Sequence, residues 1–87
     1  MKAFLTVIGH DRVGIIADVS ARLAQHGVNI LDITQTILHE YFTMVMFISL
    51  ETSDVDISQL QAEFANFDKN LEVRIQNEEI FNSMHRI

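Results

Sequence analysis

Eight consecutive residues, Gly9-His10-Asp11-Arg12-Val13-Gly14-Ile15-Ile16, hold the strongest candidate for chemistry in the sequence. Two glycines span a change from a β-type apolar run to a helical one. Gly14 allows a ligand or another backbone to approach closely, and a helix start offers unpaired N–H groups to an anion. The same spacing fits a packing role, with Gly9 ending a strand and Gly14 setting helix against sheet. It is not a dinucleotide fingerprint, because the G-x-G-x-x-G spacing and the parallel strand after it are both absent. Elsewhere the pieces of a reaction do not assemble. Ser20 falls mid-helix, and Ser49, Ser53, Ser58 and Ser83 lack a nucleophile elbow. His10, His26, His39 and His85 show no ligand spacing, so no metal is expected. Asp32 has no local pattern bringing it to Asp11 or Asp18. The chain has no cysteine, which removes disulfides and zinc-thiolate sites. A protein that is not an enzyme, with no metal and no cofactor, is the expectation.

The loop needs a frame. Residues 2–9 are a short apolar, β-branched run, which predicts a strand buried on both faces. Ile15, Ile16, Val19 and Leu23 recur at helical spacing, with Asp11 as N-cap and Gly27 as stop. That predicts a helix from about Arg12 to His26. Residues 28–38 place Leu31, Ile33 and Ile37 on one face, opposite Asp32, Thr34 and Thr36. Residues 41–51 place Phe42, Met44, Met46, Ile48 and Leu50 opposite Tyr41, Thr43, Val45, Phe47 and Ser49. For the two apolar faces to coincide, facing residue numbers must sum to an odd value. A two-residue loop at His39-Glu40, pairing Leu38 with Tyr41, satisfies this; so does a four-residue loop. Asp56 and Gln59 resemble a capping box ahead of Ile57, Leu60, Phe64 and Phe67. Leu71, Val73 and Ile75 alternate as a fourth strand. Asn77, Glu78 and Glu79 open a short third helix, with Ile80, Phe81, Met84 and Ile87 as its apolar stripe.

The order βαββαβ plus a helix folds, through right-handed crossovers, into a four-stranded antiparallel sheet ordered 4-1-3-2. Two helices cover one face, giving an α+β, ferredoxin-like sandwich. The other face keeps Ile30, Leu38, Tyr41, Val45 and Phe47, a patch large enough to need a cover. Residues 78–87 are predicted to supply it, from the same chain or from a dimer partner. Stacking of two open faces is the alternative.

Eighty-seven residues leave room for one domain. With 6 basic and 12 acidic residues the formal charge is −6, and four acids against three bases lie in 1–50 but eight against three in 51–87. Nucleic acid binding needs a basic face that this chain lacks. No apolar run approaches the roughly 20 residues of a membrane helix. The N-terminal apolar run is too short for a signal segment, so a cytoplasmic protein is expected.

Gly9 to Ile16, then Leu23, then Gly27-Val28-Asn29-Ile30, together with the element order, resemble the ACT domain, a ligand-binding module of amino-acid metabolism. The resemblance spans residues 1–76, with 77–87 as a C-terminal helical extension of the same domain. Leu31-Asp32-Ile33-Thr34-Gln35-Thr36-Ile37 and the tail Asn77 to Ile87 are similar to short stand-alone ACT proteins of unassigned function. The resemblance implies an amino acid held between the strand-one–helix-one loop of one subunit and strand two of its neighbour. It further implies a homodimer in which strand two pairs with its twin. Carried over, Asp11 takes a ligand-contacting loop position, Gly14 the family glycine, and Asn29 the polar residue opening strand two, with Ile30 beside it. N–H groups from about Arg12 through Val13 and Gly14 to Ile15 would receive an α-carboxylate. Asp11 would accept from an α-ammonium, and Asn29 offers a donor and an acceptor. Val13 departs from the family, where proline often precedes that glycine, and Gly9 stands where some serine-binding members carry histidine. Two roles follow: a non-catalytic regulatory module that binds a small ligand, or a protein-interaction regulator independent of ligand.

Overall fold

The structure, a computed structural model of the chain, describes residues 1–80. Its elements run β1 (Lys2–His10), α1 (Ile15–Gln25), β2 (Asn29–Leu38), β3 (Tyr41–Ser49), α2 (Ile57–Glu63) and β4 (Leu71–Asn77). All strand pairs are antiparallel, in one sheet ordered β2-β3-β1-β4, the arrangement the pattern predicts. Of the third helix predicted over 78–87, residues 81–87 lie outside the described residues. At its predicted start, Asn77 Oδ1 accepts from the Glu79 N–H at 2.9 Å, a capping contact.

Alternation decides which side of the sheet is buried. Ala3, Leu5 and Val7 of β1 sit opposite Ile48, Met46 and Met44 of β3, and Val73 and Ile75 of β4 complete the rows. Onto this side pack Ile15, Val19 and Leu23 of α1, and Leu60 and Phe64 at α2, all buried. The α2 capping box is complete. Gln59 N–H donates to Asp56 Oδ1 at 2.8 Å and Asp56 N–H to Gln59 Oε1 at 2.9 Å. The helix is shorter than the spacing to Phe67 predicts, because from Glu63 onward the chain tightens into i→i−3 turns.

Three local expectations are corrected. The β1 run is not buried on both faces: Ile8 is 51% exposed, because the helices cover one side only. The His39-Glu40 loop has two residues and pairs Leu38 with Tyr41, but the odd-sum register holds only from Asp32 to Leu38. Between Ile30 and Asp32 a β-bulge inserts Leu31, so Ile30 pairs with Ile48 and packs against the core rather than on the open face. Leu31 is the extra residue and is exposed. Finally, α1 begins at Ile15, not near Arg12, and Asp11 does not cap it. Asp11 N–H donates instead to Glu40 O at 2.8 Å, tying the loop to the β2–β3 hairpin.

The two edges of the sheet differ in availability. Gln61 of α2 reaches β4, where its Nε2 donates to Val73 O at 2.8 Å and its Oε1 accepts from Ile75 N–H at 2.7 Å. A side-chain amide thus occupies two backbone groups in the middle of that edge. β2 is the other edge, and Leu31 to Leu38 are all exposed along it.

Candidate functional site

β1 delivers the chain to the loop 11–14, and Gly14 turns it into α1. Gly14 holds φ 86°, ψ 10°, a left-handed conformation that costs an L-residue roughly 1–2 kcal/mol and glycine almost nothing. Its carbonyl accepts the first helical bond, from Asp18 N–H at 2.9 Å. No side chain caps α1. The N–H groups of Ile15, Ile16 and Ala17 have no partner within the helix. These residues line a cleft of about 200 Å³ together with Asp11, Arg12, Gly14, Gln35, Ile37 and Phe42. The cleft is therefore bounded by the loop, the first turn of α1 and the β2 edge. Its apolar wall is Ile15, Ile37 and Phe42. Its polar groups are Asp11, Gln35 and the helix N–H groups.

A larger concavity, about 530 Å³, lies beside β4 around Gln61, Phe64, Asp68 and Asn70. Gln61 and Asp68, two of its polar side chains, are already engaged. Gln61 serves the β4 backbone, and Asp68 accepts from Asn70 N–H at 2.8 Å and from Arg12 Nε at 2.8 Å. The smaller cleft is the better candidate because its donors are free to meet a ligand.

Arg12 shapes the loop through its side chain. Its guanidinium pairs with Asp68 at 2.8 Å and Asp18 at 3.0 Å and donates to Val13 O at 3.0 Å, with Phe67 beneath it. The Asp68 and Asp18 carboxylates raise the Arg12 pKa further. The Asn70 N–H and then Arg12 hold the Asp68 carboxyl below its usual range. The loop is thus latched to the turn before β4, leaving Arg12 its backbone for other work.

The remaining expected residues are dispersed. Val13 is 96% exposed at the loop tip, outside the cleft wall. Asn29 and Ile30 open β2 at the C-terminal end of α1. They stand roughly 20 Å along the strand from Gln35, so one chain does not bring them to Asp11 and Gly14. Gln35, Ile37 and Phe42 were not among the expected site residues. The available signal was Gln35, one polar residue in the row Ile33-Gln35-Ile37 on the helix-covered side of β2. Among the described residues no cluster of three or more His, Asp or Glu could hold a metal, and no helix is long and apolar enough to cross a membrane.

A second charged cluster lies at the far end of α1. His26 Nδ1 faces Asp54 at 3.0 Å and Nε2 faces Glu63 at 2.5 Å, and these carboxylates, Glu63 foremost, raise its pKa above the ordinary 6.5. A folded-state pKa above the unfolded one means that the clamp stabilises fully below pH about 6.5 and fades as pH rises through the folded value. The melting temperature is expected to fall as pH rises from about 6.5 through the folded-state pKa of His26, and His26→Asn to flatten that slope. Parallel melting curves of the two proteins across this range, at fixed ionic strength, check it; identical slopes would refute the clamp.

The family model for the ACT domain matches residues 3–78 of this chain. The chain belongs to the ACT domain family. ACT domains are typically regulatory, ligand-binding modules. The chain is 52% identical over 89 aligned positions to a UPF0237 protein of Clostridium acetobutylicum, covering 100% of both. An ACT domain protein from Streptococcus pneumoniae superposes with a TM-score of 0.81 at 44% identity, covering 98% of each chain. A formyltetrahydrofolate deformylase from Pseudomonas syringae matches 87% of this ACT domain with 27% of its own chain, at 28% identity and a TM-score of 0.78.

Proposed function

We propose that this ACT domain is a non-catalytic regulatory module that binds a small ligand of the amino-acid class at a homodimer interface. The observation that carries the reading is the cleft itself: an uncapped helix start, opened by a left-handed Gly14, facing the free β2 edge. At about 200 Å³ it falls below the roughly 300–1,000 Å³ of drug-sized sites, which suits a small metabolite. The N–H groups of Ile15 and its neighbours receive the carboxylate, and Asp11 the ammonium. Arg12 and Gly14 contribute backbone, and Val13 flanks the mouth. Gln35 joins them from β2.

The dimer supplies what one chain lacks. Gln61 blocks the middle of the β4 edge, whereas β2 is exposed from Leu31 to Leu38, so β2 is the edge better placed to pair. Its exposed Ile33 and Ile37 favour burial against a second copy. A two-fold axis near the middle of β2 lays Asn29 and Ile30 of the partner subunit beside Ile37 and Leu38, at the mouth of this cleft. Ligand bound there bridges the subunits, and its binding is coupled to their association.

A thermal-shift screen with the common amino acids tests the reading. At about 100-fold its dissociation constant, a specific ligand adds roughly 2.7 kcal/mol, a rise on the order of 10–20 °C in a domain of this size. Uniform silence would favour the second reading, a ligand-independent protein-interaction regulator. The specific observation behind that alternative is Val13, an apolar side chain almost wholly exposed at the loop tip.

A further inference from the structure

β4 pairs with β1 on one side, where Val73 lies opposite Val7 and Ile75 opposite Leu5. Alternate residues of an antiparallel strand turn both backbone groups the same way, and Val73 and Ile75 turn theirs outward. Gln61 meets two of those groups from α2. Its Nε2 donates to Val73 O and its Oε1 accepts from Ile75 N–H. A carboxamide carries a donor and an acceptor, as a peptide group does, so Gln61 supplies here what a neighbouring strand would. Along the same edge runs a groove of about 380 Å³, lined by Gln61 and by the strand from Glu72 to Gln76.

We propose that the β4 edge is a second self-pairing surface, complementary to another copy of this chain and kept shut by Gln61. The complementarity lies in the order of charges. Glu72 and Arg74 are exposed and pair with each other along the strand at 3.3 Å. Two antiparallel β4 strands related by a two-fold axis through Val73 set Glu72 of each copy opposite Arg74 of the other. Opposite charges facing across such a pair stabilise it. The same axis sets Leu71 opposite Ile75 and Val73 opposite its twin, so the apolar row continues on the helix side. An axis through Arg74 instead faces arginine with arginine, so charge selects the register. Charges on an edge strand ordinarily keep it single, but this pattern attracts its own copy, and the blocking falls to Gln61. In the favoured register the second copy's Val73 N–H meets Val73 O, and its Leu71 C=O meets Ile75 N–H. Those are the two groups that Gln61 holds, so glutamine and second copy compete for the same atoms. Closure has a consequence for assembly that rests on the β2 dimer proposed above, although the β4 interface does not. Isologous pairing at both edges of one sheet never closes and runs on as a ribbon. Gln61 thereby confines pairing to β2.

Sedimentation of the full-length chain and its variants at micromolar concentration tests the proposal. The parent's own mass is the reference, so the result does not depend on whether β2 pairs. Gln61→Ala keeps a strong helix former in α2 and frees both backbone groups. It is expected to sediment at twice the parental mass or more, rising with concentration. Gln61→Lys loses the same two hydrogen bonds but puts a charge on the edge, and should stay at the parental mass. Glu72→Arg added to Gln61→Ala sets like charges across the pair and should return it to the parental mass. Adding Arg74→Glu as well reverses both signs and should restore the larger species. Cooperative melting curves show which chains are folded. Gln61→Ala at the parental mass, Gln61→Lys associating as strongly, or association indifferent to Glu72→Arg would each overturn the proposal. So would a Gln61→Ala chain that does not fold, since Gln61 would then be part of the fold and not a stop on its edge.

Discussion

Gly9→Ala is expected to lower the melting temperature by on the order of 10–25 °C, at about 4–8 °C per kcal/mol for a domain of this size. Gly9 ends the pairing of β1 with β4 opposite Leu71, and the next residue donates to Asn70 O at 3.1 Å. A Cβ added at Gly9 collides with that Asn70 carbonyl oxygen and comes within 2.9 Å of Leu71 Cα. These are backbone atoms held in a sheet, so they have no rotamer with which to escape. Overpacking of this kind costs roughly 1–3 kcal/mol, and a rigid backbone pushes it to the upper end or beyond. Against a total of about 4–13 kcal/mol for 87 residues, that is a large fraction. Gly14→Ala is the matched control. Its Cβ meets nothing nearer than Arg12 Nη1 at 3.9 Å, so only the left-handed backbone opposes it, at roughly 1–2 kcal/mol. Chemical denaturation of both variants beside the parent decides the matter. Equal losses would mean that β4 can retreat from Gly9 freely.

Which parts of this architecture were readable from the chain follows from how local their causes are. The row of β3 and the α2 capping box are written in adjacent side chains, and each was legible, whereas β1 is one continuous apolar run whose covered side is set only by where the helices pack. The two-residue hairpin was legible as one of two lengths, through parity. The bulge at Leu31 was not, because Ile30 and Ile33 are both apolar and an extra residue between them leaves no mark in composition. The start of α1 misled for a different reason. Asp11 has N-cap chemistry, but its N–H is taken by Glu40 O in the hairpin, and the helix waits until Gly14. Arg12 offered no local hint of its partner, since Asp68 lies 56 residues away. The candidate site divides along the same line. Asp11, Gly14 and Ile15 were found from a contiguous motif, whereas Gln35 and Phe42 reach the cleft only through strand pairing.

Thr34→Lys is expected to weaken self-association of the domain by at least about tenfold, the equivalent of roughly 1.4 kcal/mol. Thr34 sits near the middle of β2, exposed, on the edge that Gln61 does not occupy. In the proposed dimer, a two-fold axis there brings Thr34 close to its twin residue, so one substitution would place two ammonium groups near each other. Like charges facing across an antiparallel pair destabilise it, and lysine on an edge strand also opposes pairing by itself. The fold of the single chain should survive, because the side chain points away from the helix layer and Thr34 is not part of the core. Sedimentation at micromolar concentration should give about twice the 10.0 kDa chain mass for the parent and a shift toward the single mass for the variant. The same variant separates assembly from the loop. If ligand is bridged by the partner's Asn29, Thr34→Lys should reduce the thermal shift from any amino acid that stabilises the parent, although Asp11, Gly14 and Gln35 are untouched. A variant that stays dimeric would remove β2 pairing from the proposal. One that becomes monomeric yet binds with parental affinity would place the whole ligand site within a single chain.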